Sequence, residues 1–300
     1  MIVYSKTLLH SAVVLLSTAS LLADERSPLE AGYVHKFESG VDGGGDVSSD
    51  FFHLTGRAPL VLRDEFLISV SASYYFNDYS FSGGPTGSFA SLKPWDSVHT
   101  FQVGGFTRWK FAENWELFAI PSIRSTGEGD ADLSDTLSGG SLVGFSYTFS
   151  DRLKLGPGFG YITQLEDDAS IFPIILVDWK ITDALSLSTG PTVGASLGPG
   201  LSLNHQVTDS VRLSVGARYE RFRFRLDKES RVSPNGIGEE KSVPVFAAIG
   251  WQATEFIEAT ILGGVGFGNE LNLEDEQGST IADSDYDTSP FLGVNFKLTF

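Results

Sequence analysis

The last ten residues, Phe291-Leu292-Gly293-Val294-Asn295-Phe296-Lys297-Leu298-Thr299-Phe300, constrain the fold more than any other segment. Counting back from Phe300, every second residue is apolar: Leu298, Phe296, Val294 and Leu292. Between them stand Thr299, Lys297, Asn295 and Gly293. Successive side chains of a β-strand point to opposite faces. This strand therefore has one face for an apolar phase and one for water.

The beginning of the chain fits an exported protein. Lys6 precedes an apolar stretch from Leu8 to Leu22, broken only by His10 and small polar residues, and no acidic residue occurs before Asp24. Residues 1–23 are expected to be a secretory signal peptide, leaving a mature chain of 24–300. The chain has no cysteine, which excludes disulfides and lipid attachment at an N-terminal Cys. No run of 18 apolar residues follows, so no helical membrane span is expected. The 23 Phe, 9 Tyr, 5 Trp and 33 Gly instead suit strands that alternate lipid-facing and lumen-facing residues.

A unit recurs along the body: an alternating strand, a short polar turn with an acidic residue, and a second strand. The turns are Leu62-Arg63-Asp64-Glu65-Phe66, Phe111-Ala112-Glu113-Asn114-Trp115, Phe149-Ser150-Asp151-Arg152-Leu153, Ile181-Thr182-Asp183-Ala184-Leu185, Val207-Thr208-Asp209-Ser210-Val211 and Ala253-Thr254-Glu255-Phe256-Ile257. Six hairpins give twelve strands. The C-terminal strand and one near 29–39 make fourteen, an even number that returns both termini to the same side. The count falls to twelve if the first strand fails or if Leu197-Gly198-Pro199 is not a reversal. The expected fold class is all-β: a closed antiparallel transmembrane β-barrel. Trp109, Trp115, Trp179 and Trp251 cluster near the tight turns, while Tyr74, Phe76, Tyr161, Tyr219 and Phe267 lie near the far strand ends, as two interfacial bands require. Pro59, Pro121, Pro157, Pro173, Pro191, Pro244 and Pro290 fall within or at the ends of strands, where each removes a ladder donor.

Charge is unevenly placed. The long loops are read as 40–50, 77–97, 126–136, 165–170, 195–199, 226–242 and 269–288. They hold 23 of the 38 acidic residues and only four basic ones. One rim is thus strongly acidic, which suits solubility and offers carboxylates to divalent cations bridging to lipid phosphates. Asp283-Ser284-Asp285-Tyr286-Asp287 has the alternating carboxylates of a calcium loop but lacks the following Gly and the distal Glu. Acidic exposed loops give no basis for nucleic-acid binding. No cofactor motif and no metal-ligand spacing occurs; His35, His53 and His205 stand apart.

Alternation assigns an inner face. It carries Arg57, Arg108, Arg124, Arg212 and Arg218, with Glu220 and Glu258 among the acids. Gly156, Gly158 and Gly160, and Gly264, Gly266 and Gly268, leave room there or permit bending. Phe106, Phe118, Phe172, Phe246 and Phe256 are also expected inward, so the lumen is either a polar channel or partly filled.

With its signal peptide, hairpins, loop asymmetry and terminal Phe300, the mature chain resembles bacterial outer-membrane β-barrel proteins, in particular medium-sized families without assigned function. The resemblance implies outer-membrane location, contact with its lipids, and assembly by the barrel-insertion machinery with Phe300 as the signal. It implies no substrate. A passive pore or transporter for small hydrophilic solutes and a structural or surface-interaction barrel with a filled lumen are both expected readings. A membrane-facing hydrolase would need His99 and Ser125 to meet on adjacent strands, and no orienting carboxylate or amide accompanies them. No catalytic residue is assigned.

Overall fold

A computed structural model describes residues 27–190 and 200–300. The expected signal peptide, the Leu197-Gly198-Pro199 corner and Pro191 lie outside the described residues. The strands are β1 (Pro28–Gly40), β2 (Asp46–Arg63), β3 (Phe66–Ser82), β4 (Ser97–Ala112), β5 (Trp115–Glu128), β6 (Leu137–Ser150), β7 (Leu153–Gln164) and β8 (Asp167–Lys180). They continue as β9 (Leu185–Gly190), β10 (Gly200–Thr208), β11 (Val211–Arg218), β12 (Glu220–Arg225), β13 (Ile237–Gln252), β14 (Ile257–Glu274), β15 (Thr280–Tyr286) and β16 (Ser289–Thr299).

The six short turns all join consecutive antiparallel strands. β11 and β12 both lie along β13 and are one strand broken at Tyr219. β15 and β16 both lie along β14 and are one strand broken at Asp287-Thr288. β1 pairs with β16 from Pro28 opposite Thr299 to Lys36 opposite Phe291, which closes the sheet. The result is a closed fourteen-stranded antiparallel barrel. Closure removes sheet edges, so every strand finds partners without help from water.

The outer wall is apolar. Phe52, Leu54, Phe101, Val103, Ile123, Ile171, Ile175, Val245, Ile249, Ile261, Leu292, Val294 and Phe296 are all exposed on it. Their sequence neighbours His53, Gln102, Ser122, Arg124, Thr260 and Asn295 are buried on the inner side, as are Ser71 and Ser73 of β3. Trp109, Trp115, Trp179 and Trp251 are exposed near the tight turns. Prolines leave readable marks. The β4–β5 ladder skips from Gly104–Ser122 to Thr107–Ala119, around Pro121. The β6–β7 ladder skips from Gly144–Gly158 to Tyr147–Leu155, around Pro157. Pro173 sits on β8 above the short β8–β9 pairing, which spans only Asp178–Lys180 among the described residues. A missing N–H is tolerated where no ladder bond is made.

The structure revises the loop boundaries. β2 and β3 run 18 and 17 residues, and β13 and β14 run 16 and 18. About eleven tilted residues suffice for the apolar band of a membrane. The excess consists of segments read as loops: 46–50, 77–82, 237–242 and 269–274 are strand, as is Thr280–Tyr286. They look like loops because the polarity of the faces inverts. On β3, Ser73, Tyr75 and Asn77 are buried inside while Tyr74 and Phe76 face outward. Higher up, Asp78 and Ser80 face out and Tyr79 and Phe81 are buried within. On β14 a bulge produces the same inversion. Gly268 adopts φ +57°, and the β13 register slips between Lys241 and Val243. Phe267 is exposed, yet Leu271 and Leu273, of the same parity, are buried. One extra residue moves all that follow to the other face.

Candidate functional site

The inner face below the level of Asn77 is the wall of a lumen. Arg57 on β2, Arg108 on β4, Arg124 on β5, Arg212 on β11 and Glu258 on β14 alternate with outward neighbours there, and Arg218 and Glu220 stand at the β11–β12 break. Two pairs come together. Arg212 is ion-paired with Glu258, and Arg218 Nε donates to Glu220 at 2.7 Å. The Arg218 guanidinium also lies over the rings of Phe246 and Phe291, 5.4 and 5.9 Å from their centroids. Arg57, Arg108 and Arg124 sit on another part of the wall and do not join these pairs.

One wall is apolar. Phe106, Phe118, Ile120 and Leu142 are buried together, with Leu67, Phe172, Ile174 and Leu176 packed on them. Gly268, expected inward, is exposed at the β14 bulge, and the glycines that do face inward leave little open space. A Cβ at Gly160 would stand 2.2 Å from the Phe172 ring, one at Gly144 2.5 Å from Phe118, and one at Gly216 2.7 Å from Phe246. These rings lie across glycine backbone, which widens the barrel's inner surface and fills it at the same stroke. Phe256 departs from the expectation: it lies in the β13–β14 turn and is exposed.

At the far end the mouth is closed, a feature sequence reasoning missed. After Tyr219, β12 leaves the wall with the top of β13 and crosses the opening. Its sequence, Glu220-Arg221-Phe222-Arg223-Phe224-Arg225, alternates, and from Arg221 on both faces are buried. One face is aromatic. Trp95 stands edge-on to Phe224, Phe81, Phe89 and Tyr79 at 5.2, 5.6, 5.6 and 6.0 Å. Phe89 and Ala90 enter from a one-turn helix, Phe89–Leu92, whose N-cap Ser88 accepts from Ser91 N at 3.3 Å.

The other face of β12 is ionic. Arg221 Nε donates to Glu239 at 2.6 Å, and Arg223 Nη1 to Glu274 at 2.8 Å. Arg223 Nε reaches the Leu165 carbonyl at 3.0 Å, and Arg225 Nε the Asp135 carbonyl at 3.1 Å. Arg225 is also ion-paired with Glu166. These contacts tie the hairpin to the β5–β6 and β7–β8 loops across the mouth. Burial alone would raise the Glu239 carboxyl, but Arg221, then Lys241 and Arg223, hold it below the usual range. Beneath the cap, Glu240 accepts from Tyr79 at 2.7 Å, Tyr286 at 2.6 Å and Lys36 at 2.9 Å. Burial and the Glu240 charge push both phenols well above their ordinary value. A cavity of about 40 Å³ remains here, lined by Lys36, Asn77, Arg218, Glu220 and Glu240 among others. It has room for ordered water.

On the outer face His99 Nδ1 is 2.8 Å from the Tyr74 hydroxyl, and Ser125 Oγ is 2.6 Å from Thr136 Oγ1. The two are thus engaged elsewhere and not with each other. His35 Nδ1 lies 2.7 Å from Asp50, which Tyr33 also contacts. Asp283 and Asp285 project outward from strand β15 and Asp287 is exposed just beyond it, so their spacing is that of a strand and not of a calcium loop.

No family model matches the sequence. An uncharacterized protein of Chlamydia pneumoniae is 27% identical over 151 residues, 49% of this chain and 45% of that protein. The chain thus spans less than half the length of this relative. Among solved structures, an outer membrane channel from Pseudomonas putida F1 is similar with TM-score 0.51 and 10% identity, covering 92% of this chain and 96% of the other. A FadL homologue of Pseudomonas aeruginosa is similar with TM-score 0.52 and 12% identity, covering 92% and 90%. At these identities the likeness is one of fold: that of outer-membrane barrel proteins.

Proposed function

We propose that the protein is a bacterial outer-membrane channel for small hydrophilic solutes, closed at its outer mouth in this conformation by the β12–β13 hairpin. The observation that carries this reading is the polar lumen wall of serines, threonines, Gln102, Asn204 and Asn295 inside an apolar outer wall. The similarity of fold to an outer membrane channel supports it. Cell fractionation should recover the protein in the outer membrane, with unheated and boiled samples migrating differently on gels. Recovery as a soluble periplasmic monomer would defeat the reading.

Planar-bilayer recording tests conduction. Brief, infrequent steps are expected from the native chain and longer ones from variants with a weakened cap. The second reading, a structural barrel with a filled lumen, is favoured by the rings lying over Gly144, Gly160 and Gly216. Silence in the native and the cap-weakened protein alike would establish it.

A further inference from the structure

The inner face of β3–β6 carries a polar row whose hydrogen-bonding capacity is unmet at its centre. Ser73 stands opposite Gln102, Gln102 opposite Arg124, and Arg124 opposite Ser138. All four are buried; Arg124 is 5% exposed and Gln102 3%. Arg124 Nε donates to Ser138 Oγ at 3.2 Å. Its Nη1 has no hydrogen-bond partner, and neither polar atom of the Gln102 side chain has one. Arg124 makes no ion pair among the described residues, whereas the lumen carboxylates Glu116 and Glu258 are each paired with another base. A guanidinium cannot shed its proton, and a buried one is costly to leave without an anion. Two residues down β5 the wall turns small and then apolar: Ser122, then Ile120, with Leu142 and Ile162 on the neighbouring strands. Strand rise places this patch about 7–13 Å from Arg124.

From this geometry we infer that Arg124 and Gln102 form a subsite for a small organic carboxylate. The guanidinium and the Gln102 amide hold the carboxylate oxygens, and the short apolar body of the solute lies toward Ile162, Leu142 and Ile120. Guanidinium and carboxylate match as planar donor and acceptor sets. A single unpaired cation suits a monoanion better than a doubly charged phosphate. The inference deepens the channel reading by naming a solute class.

The test is calorimetric titration of the purified full chain in detergent with butyrate, butyramide and inorganic phosphate at pH 7. Butyrate should bind saturably, and the other two at least about tenfold more weakly. Arg124→Gln should raise the Kd for butyrate about tenfold or more. Arg124→Lys should recover part of the loss. Arg152→Gln, at an exposed turn, should change nothing. If Arg124→Gln gives no folded barrel on unheated gels, Gln102→Leu replaces it, with weakened butyrate binding expected. Equal binding of butyramide or phosphate, butyrate affinity indifferent to these changes, or no saturable binding by the native chain would each overturn the inference. The outcomes separate from those of conduction: current without butyrate binding removes the subsite and leaves the channel, and butyrate binding in a silent barrel does the reverse.

Discussion

Arg225 on β12 stands opposite Gly127 on β5 in a parallel bridge, although their strands lie nearly across the ring from each other. A Cβ at Gly127 would come within 2.8 Å of Thr136 Cγ2 and 3.1 Å of the Arg225 carbonyl. Gly127→Val should therefore keep the end of β12 from seating while leaving the barrel intact. The expected result is a heat-modifiable barrel with longer open times in bilayer recordings. Unchanged gating would mean that the bridge does not hold the cap.

The Arg223–Glu274 pair is almost wholly buried. Removing one partner of a buried pair costs up to about 3–5 kcal/mol, and less where a second carboxylate remains, as Glu239 does 3.3 Å from Arg223, whereas replacing both partners with apolar residues of similar size is often neutral. Because Arg223 keeps Glu239, Glu274→Gln should shift the closed–open equilibrium roughly tenfold or more toward open. Arg223→Met with Glu274→Met should return it part of the way to native, since the Leu165 carbonyl and Glu239 lose a partner as well. Single-channel open probability checks both, and a double variant as open as the single one would refute the ionic clamp.

Closure should also depend on pH. Glu239 has its carboxyl lowered in the closed cap, and separation from Arg221 on opening should return it to the ordinary value. Its contribution is therefore full above the ordinary value and lost as pH falls through the lowered one. Tyr79 and Tyr286 are raised, so their contribution is full below about pH 10, the ordinary phenol value, and lost only above it. Open probability should stay flat from pH 7 to about 9 and rise below about pH 4. Glu239→Gln should be open more often at every pH and lose the acid response. A native channel that opens on mild alkalinisation would contradict the assignment.

Ion selectivity should follow pairing. Arg212 and Arg218 face Glu258 and Glu220, whereas Arg108 and Arg124 make no ion pair among the described residues. A weak anion preference is expected, growing as salt screens the acidic rim. Replacing Arg108 and Arg124 with Gln should reduce the shift in reversal potential more than replacing Arg212 and Arg218. The opposite order would place the selective charges elsewhere.

Two glycines should differ sharply in tolerance. A Cβ at Gly156 would lie 1.8 Å from the Phe145 carbonyl oxygen, while one at Gly105 meets nothing closer than 3.5 Å. Gly156→Ala should abolish or greatly slow folding into a heat-modifiable barrel, and Gly105→Ala should be nearly silent. Refolding yield into detergent measures both.

The barrel was legible because lipid imposes its rule on each strand separately. Leu292, Val294 and Phe296 declare a lipid face without reference to any other segment, and the turn at Glu113-Asn114 declares a hairpin within five residues. The cap depends on partners far apart in sequence. Arg221, Phe222, Arg223, Phe224 and Arg225 alternate like a membrane strand, but both faces are buried, one against Trp95 and the other against Glu239 and Glu274. The alternation of Arg with Phe was visible; that it lacked any face for lipid was the usable signal. Inner-face positions followed from parity, but pairing did not: nothing in the sequence separates Arg212, which has Glu258 across the wall, from Arg124, which has Ser138.

The inversion of the two faces along β3 and β14 has a consequence for depth. On β3 it falls between Phe76 and Asp78, and on β14 at the Gly268 bulge, so two independent strands mark the same waterline. Above it the chain obeys the logic of a soluble domain, oily within and wet without; below it the logic is reversed. A probe moved residue by residue down the outer side of β3 should pass from solvent to hydrocarbon within one alternation, and the barrel can neither sink nor float by even a single turn of the pleat without wetting Phe76 or drowning Asp78.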